Sequence, residues 1–206
     1  MKKNLVIFAS GNGSNFINIY NKVNSNDING NLCLLVSNNP NCNAVNFAVN
    51  HNIDFFVYNT KKFPLDEKQI ILIDKIKTYE IDLIILAGYM KKISHNFIDS
   101  FKNKIINIHP SLLPNYGGKG FYGLKVHEAV SKNGETKTGA TVHFVDYHYD
   151  TGPILLQQEI DIEKGEESLN IAKKVLEIEH EIYAESIKLF CDDKIYWKNN
   201  KPLIRE

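Results

Sequence analysis

Asn107 and His109 stand two residues apart at the end of the apolar stretch Lys104-Ile105-Ile106-Asn107-Ile108-His109. On a strand, residues two apart share a face. The amide and the imidazole are therefore predicted to point one way, with Ile106 and Ile108 pointing the other. An amide that donates beside an imidazole that moves a proton could hold an oxygen on which negative charge develops. The plainer reading is a strand end running into solvent, with His109 satisfied by a neighbour. Asp150 lies in the turn-forming stretch Tyr149-Asp150-Thr151-Gly152-Pro153. Aspartate is commonplace in turns, and its interest comes only from pairing. A carboxylate beside His109 would hold the ring's orientation and favour its protonated form.

Two more places break the local pattern. Ser10-Gly11-Asn12-Gly13-Ser14-Asn15 joins a predicted strand to a predicted helix. Glycines let the chain turn tightly there, and the N–H groups of the helix start can cradle a phosphate. The third small residue of a dinucleotide fingerprint is missing at Phe16, and no Gly-Lys-Ser/Thr follows, so a monophosphate fits better than NAD or ATP. A plain turn capped by Ser14 or Asn12 is the competing reading. Glu179 falls on the apolar stripe Ala172, Val175, Leu176, Ile182, Tyr183, Ser186 of the last predicted helix. Burying a lone carboxylate is costly, so Glu179 wants a donor from protein or substrate. If the stripe is displaced by one residue, it is merely the solvated edge.

The elements that must position these residues alternate. Continuous apolar runs at Leu5–Ala9 and Leu83–Ala87 suit strands buried on both faces. Further strands are predicted at Leu32–Ser37, Asp54–Tyr58 and Lys104–His109. Helices are predicted at Ser14–Asn24, Ala44–Asn52 and Leu65–Tyr79, with a short one after Ser94. This is the pattern of a doubly wound α/β protein with a mostly parallel sheet. The glycine-, proline- and tyrosine-rich stretch Pro110–Lys125 reads as a long loop of the functional kind, followed by a short helix at Val126–Ser131. Thr138–Val145 and Ile154–Ile162 read as an antiparallel C-terminal pair bracketing Asp146–Pro153. Glu166–Phe190 is the longest helix, and the polar tail beyond Asp193 is expected to be loosely held. Without repeats or linkers, residues 1–206 are read as one domain.

Charge and cysteine content narrow the partners. Lys+Arg and Asp+Glu number 24 each, a formal net charge of zero, which disfavours nucleic acid and anionic membrane surfaces. The three cysteines, Cys33, Cys42 and Cys191, share no metal-ligand spacing and fit a reducing compartment. The N-terminal apolar run is too short for a signal peptide or a span. A cytoplasmic location is expected. A metal-dependent hydrolase drawing on His109, His127, His143 or His148 with Asp150 would need a recognisable ligand spacing such as His-Glu-x-x-His, and none is present.

Taken together these segments resemble the phosphoribosylglycinamide formyltransferase family of folate-dependent formyltransferases. The likeness is carried by Ser10–Asn15, by Leu86-Ala87-Gly88-Tyr89-Met90, and by Asn107-Ile108-His109-Pro110-Ser111-Leu112-Leu113-Pro114. It continues through Gly139–Val145, Asp150-Thr151-Gly152-Pro153-Ile154-Leu155-Leu156-Gln157, and Glu179-His180 with Tyr183. The motifs run in order from about Leu5 to Phe190. The resemblance implies a Rossmann-like formyltransferase fold. It implies transfer of the formyl group of 10-formyltetrahydrofolate, as co-substrate and without a metal, to the amine of glycinamide ribonucleotide in purine biosynthesis. By position it makes Asn107, His109 and Asp150 catalytic. A tetrahedral intermediate would be stabilised by Asn107 and a protonated His109, with Asp150 keeping His109 charged and assisting proton transfer. Gly13, Ser14, Asn15 and Glu179 would bind the ribonucleotide. Met90, Lys91, Lys92, Ile93 and Asn107 would bind the folate, with part of the Tyr147–Asp150 turn closing over the pterin and His143 supporting.

Two departures from the family pattern stand out. Lys91 replaces a common arginine and cannot make its forked contact, and the Asn115–Lys125 loop is several residues longer than the common form. The nearest alternatives are a formyl-folate hydrolase, which carries an extra domain ahead of this core, and another formyl-folate transferase such as the initiator-tRNA enzyme, which adds one after it. Either a monomer or a homodimer is compatible with the sequence.

Overall fold

The structure, a computed structural model, describes residues 1–205. Seven strands form a sheet in the order β3-β2-β1-β4-β5-β6-β7, and two more, β8 and β9, form a separate small sheet. The chain divides into two compact units, Met1–Ile106 and Asn107–Glu206, with the division inside β5 (Ile105–His109).

The first unit is strand–helix alternation. It contains β1 (Lys3–Phe8), α1 (Ser14–Asn24), β2 (Gly30–Ser37), α2 (Asn43–Asn50), β3 (Phe55–Val57), α3 (Ile70–Lys77), β4 (Leu83–Leu86) and α4 (His95–Ser100). β1 pairs in parallel with both β2 and β4, and β2 with β3. Central strands flanked on both faces must be apolar throughout, and Leu5 to Ala9 and Leu83 to Ile85 are all fully buried. α1 buries Phe16, Ile19 and Val23 on one face, each such side chain stabilising the fold by roughly 1.5–3 kcal/mol.

The helix expected over Leu65–Tyr79 is shorter at both ends. The Asp66 carboxylate accepts from the Ile70 and Ile71 N–H groups at 2.7 and 3.0 Å, so the helix starts only at Ile70. Leu65 is left 94% exposed.

The second unit adds α5 (Leu124–Lys132), β6 (Lys137–Phe144), β7 (Ile154–Asp161), α6 (Ser168–Cys191), β8 (Ile195–Lys198) and β9 (Lys201–Ile204). β6 and β7 pair antiparallel, as the sequence predicts, with a register shift at Val142/His143. β6 is buried from Thr138 onward, while β7 alternates, so one of its faces is open. α6 buries Ile171, Val175, Ile182, Tyr183, Ser186 and Ile187.

The tail corrects the expectation of a loose end. Asn199 and Asn200 both adopt left-handed backbone, φ 51° and 58°, the conformation of a two-residue hairpin turn that asparagine tolerates. Trp197 in that hairpin meets Phe144 edge-on, ring centroids 4.8 Å apart.

Candidate active site

Four polar side chains converge in the second unit, and each is placed by a different device. Asn107 and His109 share a face of β5, as their spacing requires; His109 is 4% exposed and Asn107 half-buried. His143 comes from β6 at the register shift, where an irregularity of pairing re-aims a side chain. Its Nδ1 donates to the Phe144 carbonyl at 2.9 Å. A carbonyl can only accept, so Nδ1 carries the hydrogen and the Nε2 lone pair is available. Asn107 Nδ2 donates to that lone pair at 3.1 Å. This fixes the amide's orientation and leaves its second N–H to donate elsewhere.

Asp150 supplies the carboxylate from the loop between β6 and β7. Its backbone is left-handed, φ 58°, uncommon for a side chain other than glycine. Two contacts hold the loop there. The Phe144 N–H donates to the Pro153 carbonyl at 2.9 Å, and Gly152 lies so close to the Phe144 carbonyl that a Cβ would overlap it. Asp150 Oδ2 accepts from the Gly118 N–H at 2.8 Å. The same oxygen lies 3.6 Å from His109 Nδ1, and Oδ1 lies 3.7 Å from His143 Nε2. The pairing on which Asp150's interest rested is therefore present.

The electrostatics correct one expectation. His109 Nε2 donates to the Tyr116 carbonyl at 2.8 Å, so Nδ1 faces Asp150. Burial pushes the His109 pKa below its ordinary 6.5, outweighing the opposite pull of Asp150 and the Tyr116 carbonyl, while His143 adds to the lowering. Asp150 does not keep His109 charged at neutral pH in this state, because desolvation of the imidazolium is larger than attraction across 3.6 Å. For Asp150 itself burial raises the pKa, but the contacts with His143, with His109 and with the Gly118 N–H together bring it below the usual carboxylate value. The resting pair is a neutral imidazole beside a carboxylate.

Glu179 is half-buried at the rim of the α6 stripe, between the two placements the sequence left open. His148 is exposed and His127 buried on α5. Among the described residues no group of three or more His, Cys, Asp and Glu side chains is arranged to hold a metal.

In the first unit, Gly13 precedes α1 with φ 73°, and a Cβ there would press on Ala44 at 2.9 Å. Gly13 is required for both reasons, and it replaces the side-chain cap that the sequence suggested. As at any helix start, the first-turn N–H groups of α1 have no carbonyl within the helix itself to meet. Ser14 is half-buried, whereas Asn15 turns inward at 7% exposure.

The Gly88–Ile93 loop follows β4, which runs parallel to β1, so the two loops leave the same ends of adjacent strands. Ser10 ties them. Its N–H donates to the Gly88 carbonyl at 3.2 Å, its Oγ accepts from the Met90 N–H at 2.8 Å, and the hydroxyl donates to Asn38. Met90, Lys91 and Lys92 are exposed, but Ile93 is only 7% exposed and packs inward. A cleft of about 250 Å³ near the opposite ends of β1 and β2, lined by Lys2, Tyr20, Asn26 and Asn31 among others, contains none of these residues.

Sequence reasoning missed Ser10 as a tether, and the Tyr116 carbonyl and Gly118 N–H as partners of the dyad. The last two are backbone groups, for which residue type gives no signal.

An amide with a second N–H, a neutral imidazole and a carboxylate on a mostly parallel α/β frame form a set able to act on a polarised carbonyl. Comparison narrows the class. The Formyl transferase family matches residues 3–187. Over 99% of its length the chain is 39% identical to the chloroplastic phosphoribosylglycinamide formyltransferase of Vigna unguiculata, of which it covers 66%. It is 34% identical to the phosphoribosylglycinamide formyltransferase of Bacillus subtilis, over 90% of this chain and 93% of that one. The crystal structure of glycinamide ribonucleotide transformylase 1 from Symbiobacterium toebii superposes with a TM-score of 0.91 at 28% identity, covering 100% of this chain and 95% of that one. The chain belongs to the formyl transferase family.

Proposed function

We propose that the chain transfers the formyl group of 10-formyltetrahydrofolate to the amine of glycinamide ribonucleotide, giving formyl-glycinamide ribonucleotide in purine biosynthesis. The observation that carries this reading is the oriented set Asn107–His143 and Asp150–His109, in a chain alike to formyltransferases of that name over nearly its whole length. Formyl-folate supplies an activated one-carbon carbonyl. Asn107 donates its second amide N–H to the carbonyl oxygen as the amine adds and a tetrahedral carbon forms. A donor of this kind is worth roughly 100- to 1,000-fold in rate. Neutral His109 takes the amine's proton at Nδ1. Asp150, kept ionised, then stabilises the imidazolium that results. The tetrahedral carbon collapses, its bond to folate N10 breaks, and the proton passes from the imidazolium to that leaving nitrogen, which restores the neutral ring. His143 holds the Asn107 amide the right way round.

The remaining roles follow from surface chemistry. The α1 start at Gly13, Ser14 and Asn15 offers N–H donors to the ribonucleotide phosphate, with Asn15 acting through its backbone because its side chain is buried. Glu179 accepts from the ribonucleotide. Met90, 52% exposed, offers an apolar surface to the folate ring, and the exposed Lys91 and Lys92 ammonium groups suit the carboxylates of its tail. Ile93 contributes by packing the loop, and Asn107 contacts the folate through its formyl oxygen. The chain acts as one formyltransferase domain over residues 1–206, as a monomer or homodimer. It works in the cytoplasm, where its three cysteine thiols stay reduced.

The test is to mix purified protein with 10-formyltetrahydrofolate and follow the deformylated folate with and without glycinamide ribonucleotide. Release that depends strictly on the ribonucleotide is expected. Equal release without it would make the chain a hydrolase, and no release at all would overturn the reading.

A further inference from the structure

Tyr116 has an unusual backbone and an unusually well-held side chain. It is a bulky residue in the left-handed region, φ 56°. Its phenol donates to Glu135 Oε1 at 2.6 Å and accepts from Asn133 Nδ2 at 2.8 Å. Its ring meets Phe121 edge-on with centroids 6.1 Å apart. Those contacts fix the peptide that follows. The Tyr116 carbonyl accepts from His109 Nε2 at 2.8 Å, and two residues on the Gly118 N–H donates to Asp150 at 2.8 Å. One short strap thus grips both members of the dyad.

A free neutral imidazole exchanges between two tautomers, and only one of them leaves Nδ1 open to a proton. We propose that Tyr116 is a positioning residue for formyl transfer: anchored through its phenol to Glu135 and Asn133, it holds its carbonyl against His109 Nε2 and so keeps Nδ1 as the atom that exchanges the proton. This rests on the catalytic role of His109 given above. It also gives the long loop ahead of α5, which ends at Gly123 rather than at the expected Lys125, a task, since the loop's first turn sets the protonation geometry. The titratable groups acting on His109 besides the strap are Asp150, His143 and His127. All three are untouched by the variants below.

Tyr116→Phe keeps the ring and removes the anchor. Histidine ring nitrogens, read by ¹⁵N NMR at pH 7.5, should show wild-type His109 with hydrogen on Nε2 and the variant as a mixture. The variant's kcat should fall about tenfold with KM for both substrates within about twofold. The acid limb of its kcat/KM profile should move to lower pH, because the lost carbonyl contact had favoured the imidazolium. Glu135→Gln alone, which keeps an acceptor for the phenol, should retain wild-type behaviour, and Glu135→Ala alone should mimic Tyr116→Phe. A Tyr116→Phe protein with the wild-type tautomer and turnover, or one that loses only thermal stability, overturns the positioning role while leaving the proposed function standing. If His109→Ala turns over normally, the catalytic reading falls, and the positioning role falls with it.

Discussion

At the scale of single residues the chemistry turns on protonation. His109 is neutral at rest because burial opposes its charge more strongly than Asp150 supports it. It can therefore act as a base through the physiological range. We expect kcat/KM to be level near pH 7 and to fall only below about 6.5, as the imidazole protonates; a profile that instead rises toward acid would make the charged form the active one. Asp150→Asn should lower kcat by at least about 100-fold while the protein stays folded, because an amide cannot stabilise the imidazolium formed beside it. Steady-state kinetics with circular dichroism on the same sample check this, and near-normal turnover refutes the assignment. Residue type and spacing singled out Asn107, His109 and Asp150 only as candidates, beside plainer readings; their roles were implied by the family resemblance. His143 was seen only as a helper, because nothing in sequence spacing announces that its lone pair orients an amide 36 positions away.

Elements place these atoms, and loops do so more finely than strands. The pairing shift at Val142/His143 turns His143 inward, and the loop carrying Asp150 is pinned where Gly152 meets the Phe144 carbonyl. Gly152→Ala should force that loop outward. We expect a loss of roughly 1–3 kcal/mol in stability from overpacking, with a fall in kcat larger than any change in KM. Urea denaturation and kinetics on one preparation separate the two effects, and an alanine variant with full activity would show that the loop adapts. Strand and helix positions were well forecast by alternation and apolar period. The start of α3 was not, because Asp66 capping the Ile70 and Ile71 N–H groups is a local competition that hydrophobic spacing does not register.

For the whole molecule, several histidines buried in neutral form imply sensitivity to acid. His127 is 4% exposed and its Nδ1 has no hydrogen bond among the described residues; burial first, and then the neighbouring His109, lower its pKa from 6.5 to about 4. The sign follows from linkage. Below pH 6.5 the unfolded chain takes up protons that the folded chain refuses, so stability is lost from pH 6.5 down to about 4. That group alone contributes about 3 kcal/mol. His109 and His180, also lowered by burial, act in the same direction. Denaturant unfolding at pH 7.5 and 4.5 should show this loss, and His127→Gln should flatten it even if the variant is less stable at both values. An unchanged pH slope in the variant would assign the acid sensitivity elsewhere.

The order of strands and helices, the antiparallel pair near the C-terminus and the three catalytic candidates were written in the sequence. Each depends on residue type and on periods of two or 3.6, which are local properties. Tertiary structure alone decided which hydrogen each imidazole carries, how far Asp150 stands from His109, and that the C-terminal tail folds back as a hairpin with Trp197 against Phe144. Those outcomes depend on backbone groups and on contacts between residues distant in the chain. A carbonyl looks the same at every position until folding brings one of them to a ring nitrogen.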